Sequence, residues 1–263
     1  VIPLSEGDGF TFVPDAAGAA AFADAVGLGG EELATGFAPA LYVVKALAFA
    51  FPNSWAEHDP WVHAAQEFRF HRPLRLDSPV TVRVNRLDHG DHGFRRGTRL
   101  GFDVVRPSGE LAVEGTTTLT SGPATGGPRL SSPGPLPPPG ASLGESTVLL
   151  APDLPVRYAE ASGDRNPLHL DAEFARTHGF PDAVVHGMAT VCVALGLARH
   201  HVGSTSLRAL RVRLARPVHP GSRLRVTTCR TARPDVFRVK ATVAEFEVLK
   251  DFEVEFGGGS GAG

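Results

Sequence analysis

A strand–turn–strand pattern occurs twice in this chain of 263 residues, and its constant register limits the available folds more than any other feature. In the second half Leu210, Val212 and Leu214 alternate with Arg211 and Arg213, Arg216-Pro217-Val218 interrupts, and Ser222-Arg223-Leu224-Arg225-Val226 resumes the alternation. In the first half Phe68 and Phe70 flank Arg69, Arg72-Pro73-Leu74 interrupts, and Ser78-Pro79-Val80-Thr81-Val82 resumes. Arg72 and Arg216, Ser78 and Ser222, and Val82 and Val226 are each 144 positions apart. Period-two alternation marks a strand with one buried face. Similar segments follow at 98–105 and 110–120 in the first copy and at 237–246 in the second, and an apolar helical stretch precedes the strands in each, at 37–51 and 187–202. A helix that is apolar nearly all round needs burial on most sides, and a sheet of alternating strands has one face to bury. Curling the sheet around the helix meets both needs. The expected class is therefore α+β, with two antiparallel sheets each wrapped around a long central helix and the copies forming an intrachain pseudo-dimer.

Residues 121–145 are dominated by Pro and Gly, including Pro137-Pro138-Pro139. Proline lacks the N–H and glycine loses the most backbone entropy, which excludes a helix or a central strand there. The expected organisation is an N-terminal copy at 1–120, a linker at 121–145, a C-terminal copy at 146–256 and a glycine-rich tail or added linker at 257–263. The net charge of −2, without runs of like charge, argues against nucleic acid or an anionic membrane as the main partner. The apolar stretch at 38–51 contains Lys45 and falls short of the ~20 residues a membrane span needs, so no membrane insertion is expected. Val1-Ile2-Pro3 carries no basic n-region, so nothing suggests secretion. Cys192 and Cys229 are too few for a disulfide framework, which favours a reducing compartment, the cytoplasm.

The copies differ at one place. Only the second contains Tyr158-Ala-Glu-Ala-Ser162-Gly163-Asp164-Arg165-Asn166-Pro167-Leu168-His169-Leu170-Asp171, followed by Phe180-Pro-Asp-Ala-Val-Val-His186-Gly187-Met188. Pro167 forces an extended or turn geometry at Asn166, a spacing that can bring Asp164 and His169 over one cavity. This segment, with Arg216-Pro217-Val218-His219-Pro220-Gly221, resembles the hydratase-2 signature of the MaoC-type (R)-specific enoyl-thioester hydratases and dehydratases. The match spans roughly residues 158 to 226 and is specific, because several uncommon residues stand at fixed spacings. The whole chain is similar to double-hotdog members, whose N-terminal copy has lost the catalytic motif and forms part of the acyl channel.

The resemblance implies reversible syn hydration of a trans-2-enoyl thioester to an (R)-3-hydroxyacyl thioester in fatty-acid or polyketide metabolism, with no cofactor or metal. The substrate partner is an acyl-CoA or an acyl-carrier-protein thioester, and the duplication makes a monomer or a homodimer plausible. Such chemistry needs water deprotonated at C3, C2 protonated, and charge on the thioester oxygen stabilised. By resemblance Asp164 and His169 form the dyad that activates water, and Asn166 orients the loop. Gly187 opens the apolar helix and is the expected oxyanion donor, through its backbone N–H. Ser162 and Gly163 are expected in the tight turn, His186 as a cap or packing neighbour, and Asp171 as a helix N-cap.

His89-Gly90-Asp91-His92 reads as a solvated hairpin turn rather than a metal site. His200 and His201 are expected to meet the last carbonyls of a helix, and Cys192 and Cys229 to be buried packing residues. Arg95, Arg96, Arg208, Arg211 and Arg213 read as solvated sheet residues before phosphate contacts. Bulky Phe37, Leu41, Phe49 and Phe51 with Ala38-Pro39 hint at a channel wall. Two rivals stay open: a hotdog thioesterase, and a silent acyl-thioester binding protein.

Overall fold

A computed structural model describes Gly7, Leu136 and residues 9–27, 61–92, 95–121, 138–203 and 206–257. The stretch at 37–51, its candidate channel residues and most of the Pro/Gly-rich segment lie outside the described residues. The elements are β1 (Gly9–Phe12), α1 (Ala16–Val26), β2 (Trp61–Phe70), β3 (Val80–His92), β4 (Arg95–Val105), β5 (Leu111–Ser121), β6 (Ser142–Leu149), α2 (Leu154–Ser162), α3 (Pro167–Leu170), α4 (Ala172–Thr177), α5 (Gly187–Val202), β7 (Leu207–Leu214), β8 (Arg223–Arg230), β9 (Val236–Val243) and β10 (Phe246–Phe256).

The alternation seen in the sequence becomes burial on one face. Val80, Val82 and Val84 are buried while Arg83 is exposed, and Leu224 and Val226 are buried between exposed Arg223 and Arg225. The two expected sheets are continuous: ten antiparallel strands run in the order β1-β3-β4-β5-β2-β7-β10-β9-β8-β6. This order is its own mirror when each strand of the first five is exchanged for its counterpart in the second. The halves meet where β2 pairs with β7, and Glu67 faces Arg211 there. Those two residues are also 144 positions apart, so the repeat places the pseudo-two-fold axis between them.

The elements before these strands follow a second, shorter separation. Phe10 faces Val82 and Ser146 faces Val226, so Phe10 corresponds to Ser146, 136 positions on. This separation of 136 carries Phe22 of α1 onto Tyr158 of α2, and these rings pack together at 5.5 Å. It also carries Gly27 onto Gly163, which end the two helices in the left-handed region at φ 70° and 82°. A residue with a Cβ pays for that conformation and glycine does not.

Helix α5 occupies the expected bounds and is buried from Met188 through Leu195. It packs against β6, β8 and β9. The last part of the Pro/Gly-rich segment, Ser142 to Glu145, is strand, at the sheet edge where an irregular strand is tolerated. Gly144 is pressed against the His201 ring, and a Cβ there would sit 2.7 Å from it. His201 bonds Ser146 Oγ and Thr228 Oγ1 at 2.8 and 2.9 Å, so it pins the end of α5 to β6 and β8 rather than meeting the last helical carbonyls. His89 to His92 belong to β3 rather than to a turn, because backbone pairing with β4 continues as far as His92 and Arg95. Cys192 is buried as expected, whereas Cys229 is only half-buried. Arg211 and Arg213 are paired across the sheet with Glu253 and Asp251, each at 2.6 Å. No helix among the described residues is long and apolar enough to cross a membrane.

Candidate active site

The loop after α2 builds the site through short-range hydrogen bonds. Gly163 reverses the chain, and Ser162 Oγ accepts from the Asp164 N–H at 3.1 Å. Asp164 Oδ1 accepts from the Asn166 N–H at 3.2 Å, and Asn166 Oδ1 caps α3 by accepting from the Leu168 N–H at 3.1 Å. Pro167 suits the first helical position because its missing N–H would have no partner there. One turn of helix then presents His169. Its Nδ1–H donates to the Val184 carbonyl at 2.8 Å, which leaves Nε2 as a lone pair. Val184 is held in turn by its N–H to the Leu168 carbonyl at 3.1 Å. Beneath α3 and α4, Leu168, Ala175, Phe180 and Val184 form a small apolar cluster. Asp171 caps α4 as expected, accepting from Glu173 and Phe174 N–H.

The N-terminal half takes part. Asn166 Nδ2 donates to the Trp61 carbonyl at 3.3 Å, and Val62 packs on the apolar cluster. A Cβ on Gly187 would lie 1.9 Å from Leu214 Cδ2 and 3.9 Å from His63 Cβ. The missing side chain at Gly187 is thus required by Leu214, a reason not foreseen from the sequence. His63 Nε2–H donates to the Ala65 carbonyl at 3.1 Å, and burial pushes its pKa down to about 4.

The seven residues expected at the site converge. Ser162, Asn166 and His186 are buried, while Asp164 and His169 are half-buried and so within reach of a small molecule. His186 precedes α5 without a side-chain capping bond; its Nε2–H instead donates to the Asp164 carbonyl at 3.0 Å. Its ring lies on that of His169 with centroids 3.8 Å apart. Gly187 follows directly, and its N–H, first in α5, has no partner within the helix. Burial outweighs the Asp164 charge and the Val184 bond, so the His169 pKa falls below its usual 6.5 and the ring is neutral at pH 7. His186 is held well below that value by burial and by His169.

A carboxylate oxygen of Asp164 and one nitrogen each of His169 and His186 lie within 4.8 Å of one another, a donor set that a divalent cation can use. The stack argues against it. An imidazole lone pair lies in its ring plane, and two rings tilted by only 30° do not aim theirs at one ion. A water molecule, which donates in two directions, fits the two outward acceptors better.

Sequence reasoning did not find the contributions of Trp61, His63, Val184 and Leu214. Two of these act through backbone carbonyls, which no side-chain pattern can signal, and the other two belong to strands whose neighbours only the register fixes.

Residues 137–251 match the family model described as MaoC like domain. The 3-hydroxyacyl-thioester dehydratase Y of Mycobacterium tuberculosis is 30% identical over 193 residues, covering 65% of this chain and 62% of that protein. The peroxisomal multifunctional enzyme type 2 of Drosophila melanogaster is 28% identical over 220 residues, 80% of this chain and 37% of that one. This chain therefore spans less than two thirds of either relative. Among solved structures, a MaoC-like dehydratase from Phytophthora capsici superposes with a TM-score of 0.77 at 19% identity, covering 97% of each chain. A Mycobacterium tuberculosis protein described as having a double hotdog fold gives 0.64 at 16% identity, covering 96% of each. The continuous sheet around α5, the loop from Ser162 to His169 and these matches together give residues 137–251 a MaoC-like domain and the chain a double-hotdog fold.

Proposed function

We propose that the protein catalyses reversible syn addition of water to trans-2-enoyl thioesters, giving (R)-3-hydroxyacyl thioesters. One observation carries this reading: the half-buried Asp164 carboxylate and His169 ring stand together with His186, within 4.8 Å, and the residue that follows His186 is Gly187, which opens α5. Neither the carboxylate nor His169 Nε2 can donate a proton in its resting state, so a water between them donates one hydrogen to each and turns its lone pair outward. As the water oxygen attacks C3, the dyad takes one proton, and the C2=C3 electron pair moves toward the thioester oxygen. The Gly187 N–H, at the positive end of α5, stabilises the charge that develops there. The same proton then passes to C2. Water and proton reach one face of the double bond because both come from the dyad, which accounts for syn stereochemistry. The reverse sequence eliminates water.

In this reading residues 1–120 form a non-catalytic copy that shapes the acyl channel, residues 121–145 connect it, and residues 146–256 carry the chemistry. In sequence Leu28 follows Gly27 where Asp164 follows Gly163, which supports a single site. The substrate is carried by coenzyme A or an acyl carrier protein, and two free thiols support a cytoplasmic location. The test is a hydration assay on trans-2-enoyl-CoA substrates of graded length with chiral analysis of the product. Formation of the (R)-alcohol supports the proposal, and release of free thiol without hydration overturns it in favour of a thioesterase.

A further inference from the structure

Two buried polar groups behind the dyad have no part in the water chemistry. The His186 side chain is 1% exposed, and its ring lies against that of His169 at 3.8 Å and that of Tyr158 at 4.7 Å. Because its Nε2–H donates to the Asp164 carbonyl, Nδ1 carries the lone pair, and this buried nitrogen has no hydrogen-bond partner. The hydroxyl of Tyr158, a residue 0% exposed, has none either. Buried polar groups are nearly always satisfied, by protein or by an internal water. Here a donor and an acceptor sit on adjoining rings.

We propose that His186 is a positioning residue for the dyad, locked as the Nε2–H tautomer by one buried water that it shares with the Tyr158 hydroxyl. The hydroxyl donates to the water, and the water donates to Nδ1. With the tautomer fixed, the Nε2–H holds the Asp164 carbonyl and therefore the loop that aims the carboxylate. In the opposite tautomer two acceptors would face each other across 3.0 Å and push the loop away. The ring also orients its neighbour. A neutral π-face tolerates His169 when it takes the proton, whereas a charged one would repel it. The groups facing the stack are Tyr158 from α2, Asp164 from the loop, His169 from α3 and, against Tyr158, Cys192 from α5. Burial raises Tyr158 well above its ordinary range and Cys192 to about 12, so both stay neutral beside the stack.

The inference rests on the hydratase reading, and its test has an arm that needs no turnover. Long-range nitrogen–proton NMR correlations on the full chain should show a single Nε2–H tautomer for His186, and a mixture in Tyr158→Phe. In the kinetic arm His186→Gln keeps a donor and loses the ring, while His186→Phe keeps a ring and loses the donor. Both should lower kcat by ~10²-fold, as expected for a misplaced dyad, with KM for the enoyl-CoA little changed. In His186→Gln the acid limb of kcat/KM should also move up toward 6.5, because removing the stacked ring admits water to His169. An Nδ1–H tautomer in the wild type, or wild-type kcat and pH profile in both His186 variants, overturns the proposal. If the His186 variants do not fold, the tautomer in the wild type and in Tyr158→Phe decides. A wild-type protein inert toward enoyl thioesters would refute the hydratase reading while leaving the tautomer result standing.

Discussion

Replacing Asn166 with alanine tests whether the catalytic loop depends on both halves of the chain. The residue is 3% exposed and does two things with one amide. Its oxygen caps α3 at the Leu168 N–H, 3.1 Å away, and its nitrogen reaches the Trp61 carbonyl on β2 at 3.3 Å. Loss of an N-cap costs about 1 kcal/mol. A long neutral hydrogen bond contributes about 0.5–1 kcal/mol more. At about 2–4 °C of Tm per kcal/mol for a domain of this size, Asn166→Ala should melt roughly 3–8 °C below the wild type. Activity should fall further than stability suggests, by ~10²-fold, because the two lost side-chain bonds fix the position of the backbone N–H that steadies Asp164 Oδ1 at 3.2 Å. Asn166→Asp separates the two roles. It keeps the cap, since a carboxylate accepts from Leu168 as well as an amide does, but it loses the donor to Trp61 and brings a second carboxylate beside Asp164. It should therefore melt closer to the wild type than the alanine variant and still lose activity. Calorimetry and a crotonyl-CoA hydration assay on the three proteins decide the matter. An alanine variant that melts within a degree of the wild type and turns over at the wild-type rate would falsify the view that this side chain ties the halves together at the site.

Asp164→Asn and His169→Ala should each lose ~10²-fold or more in hydration rate while the far-ultraviolet spectrum is unchanged; a wild-type rate in either removes that residue from the dyad. Gly187→Ala should destabilise by about 1–3 kcal/mol in urea unfolding because its Cβ meets Leu214. Adding Leu214→Ala should recover part of that loss, and strict additivity would show that the contact is not the cause. Stability should also fall as pH drops below 6.5. His63, His169 and His186 all have depressed native pKa values, so the unfolded chain takes up protons first. For His63 the window runs from 6.5 to about 4 and is worth at most ~3.5 kcal/mol at about 1.4 kcal/mol per unit. Unfolding of His63→Gln across that range should be less steep in pH, and an unchanged slope would assign the acid sensitivity to other groups.

Much of this architecture was legible because it rests on periodicity. Leu210 and Val212, or Val80 and Val82, announce a half-buried strand wherever they occur, and a fixed separation announces a duplication. The bounds of α5 were legible because His186-Gly187 and Gly203 frame an apolar run. Helix α1 was not anticipated, because Ala-rich residues 16–26 show little amphipathic contrast and lie far from the motif. The joining of two sheets into one was hidden as well, since pairing of β2 with β7 depends on which edges remain free once each half is formed. At the site, the convergence of Asp164 and His169 was legible through uncommon residues at fixed spacing. Its supports were not, because the Val184 and Trp61 carbonyls act through backbone atoms and the fit of Leu214 over Gly187 is a matter of tertiary packing.

If the proposed reaction runs in the second half alone, pseudo-symmetry explains how the first half still supports it. The axis passes between Glu67 and Arg211 in the sheet and between Phe22 and Tyr158 in the helix layer. A loop that leaves α2 close to that axis necessarily lands on the other half. Asn166 therefore finds Trp61, and Gly187 has His63 for a neighbour. In sequence Leu28 follows Gly27 where Asp164 follows Gly163, so the first half has no carboxylate at that position. Substitutions at the start of β2 should accordingly impair the proposed reaction, although Asp164 and His169 lie about 100 positions further along the chain.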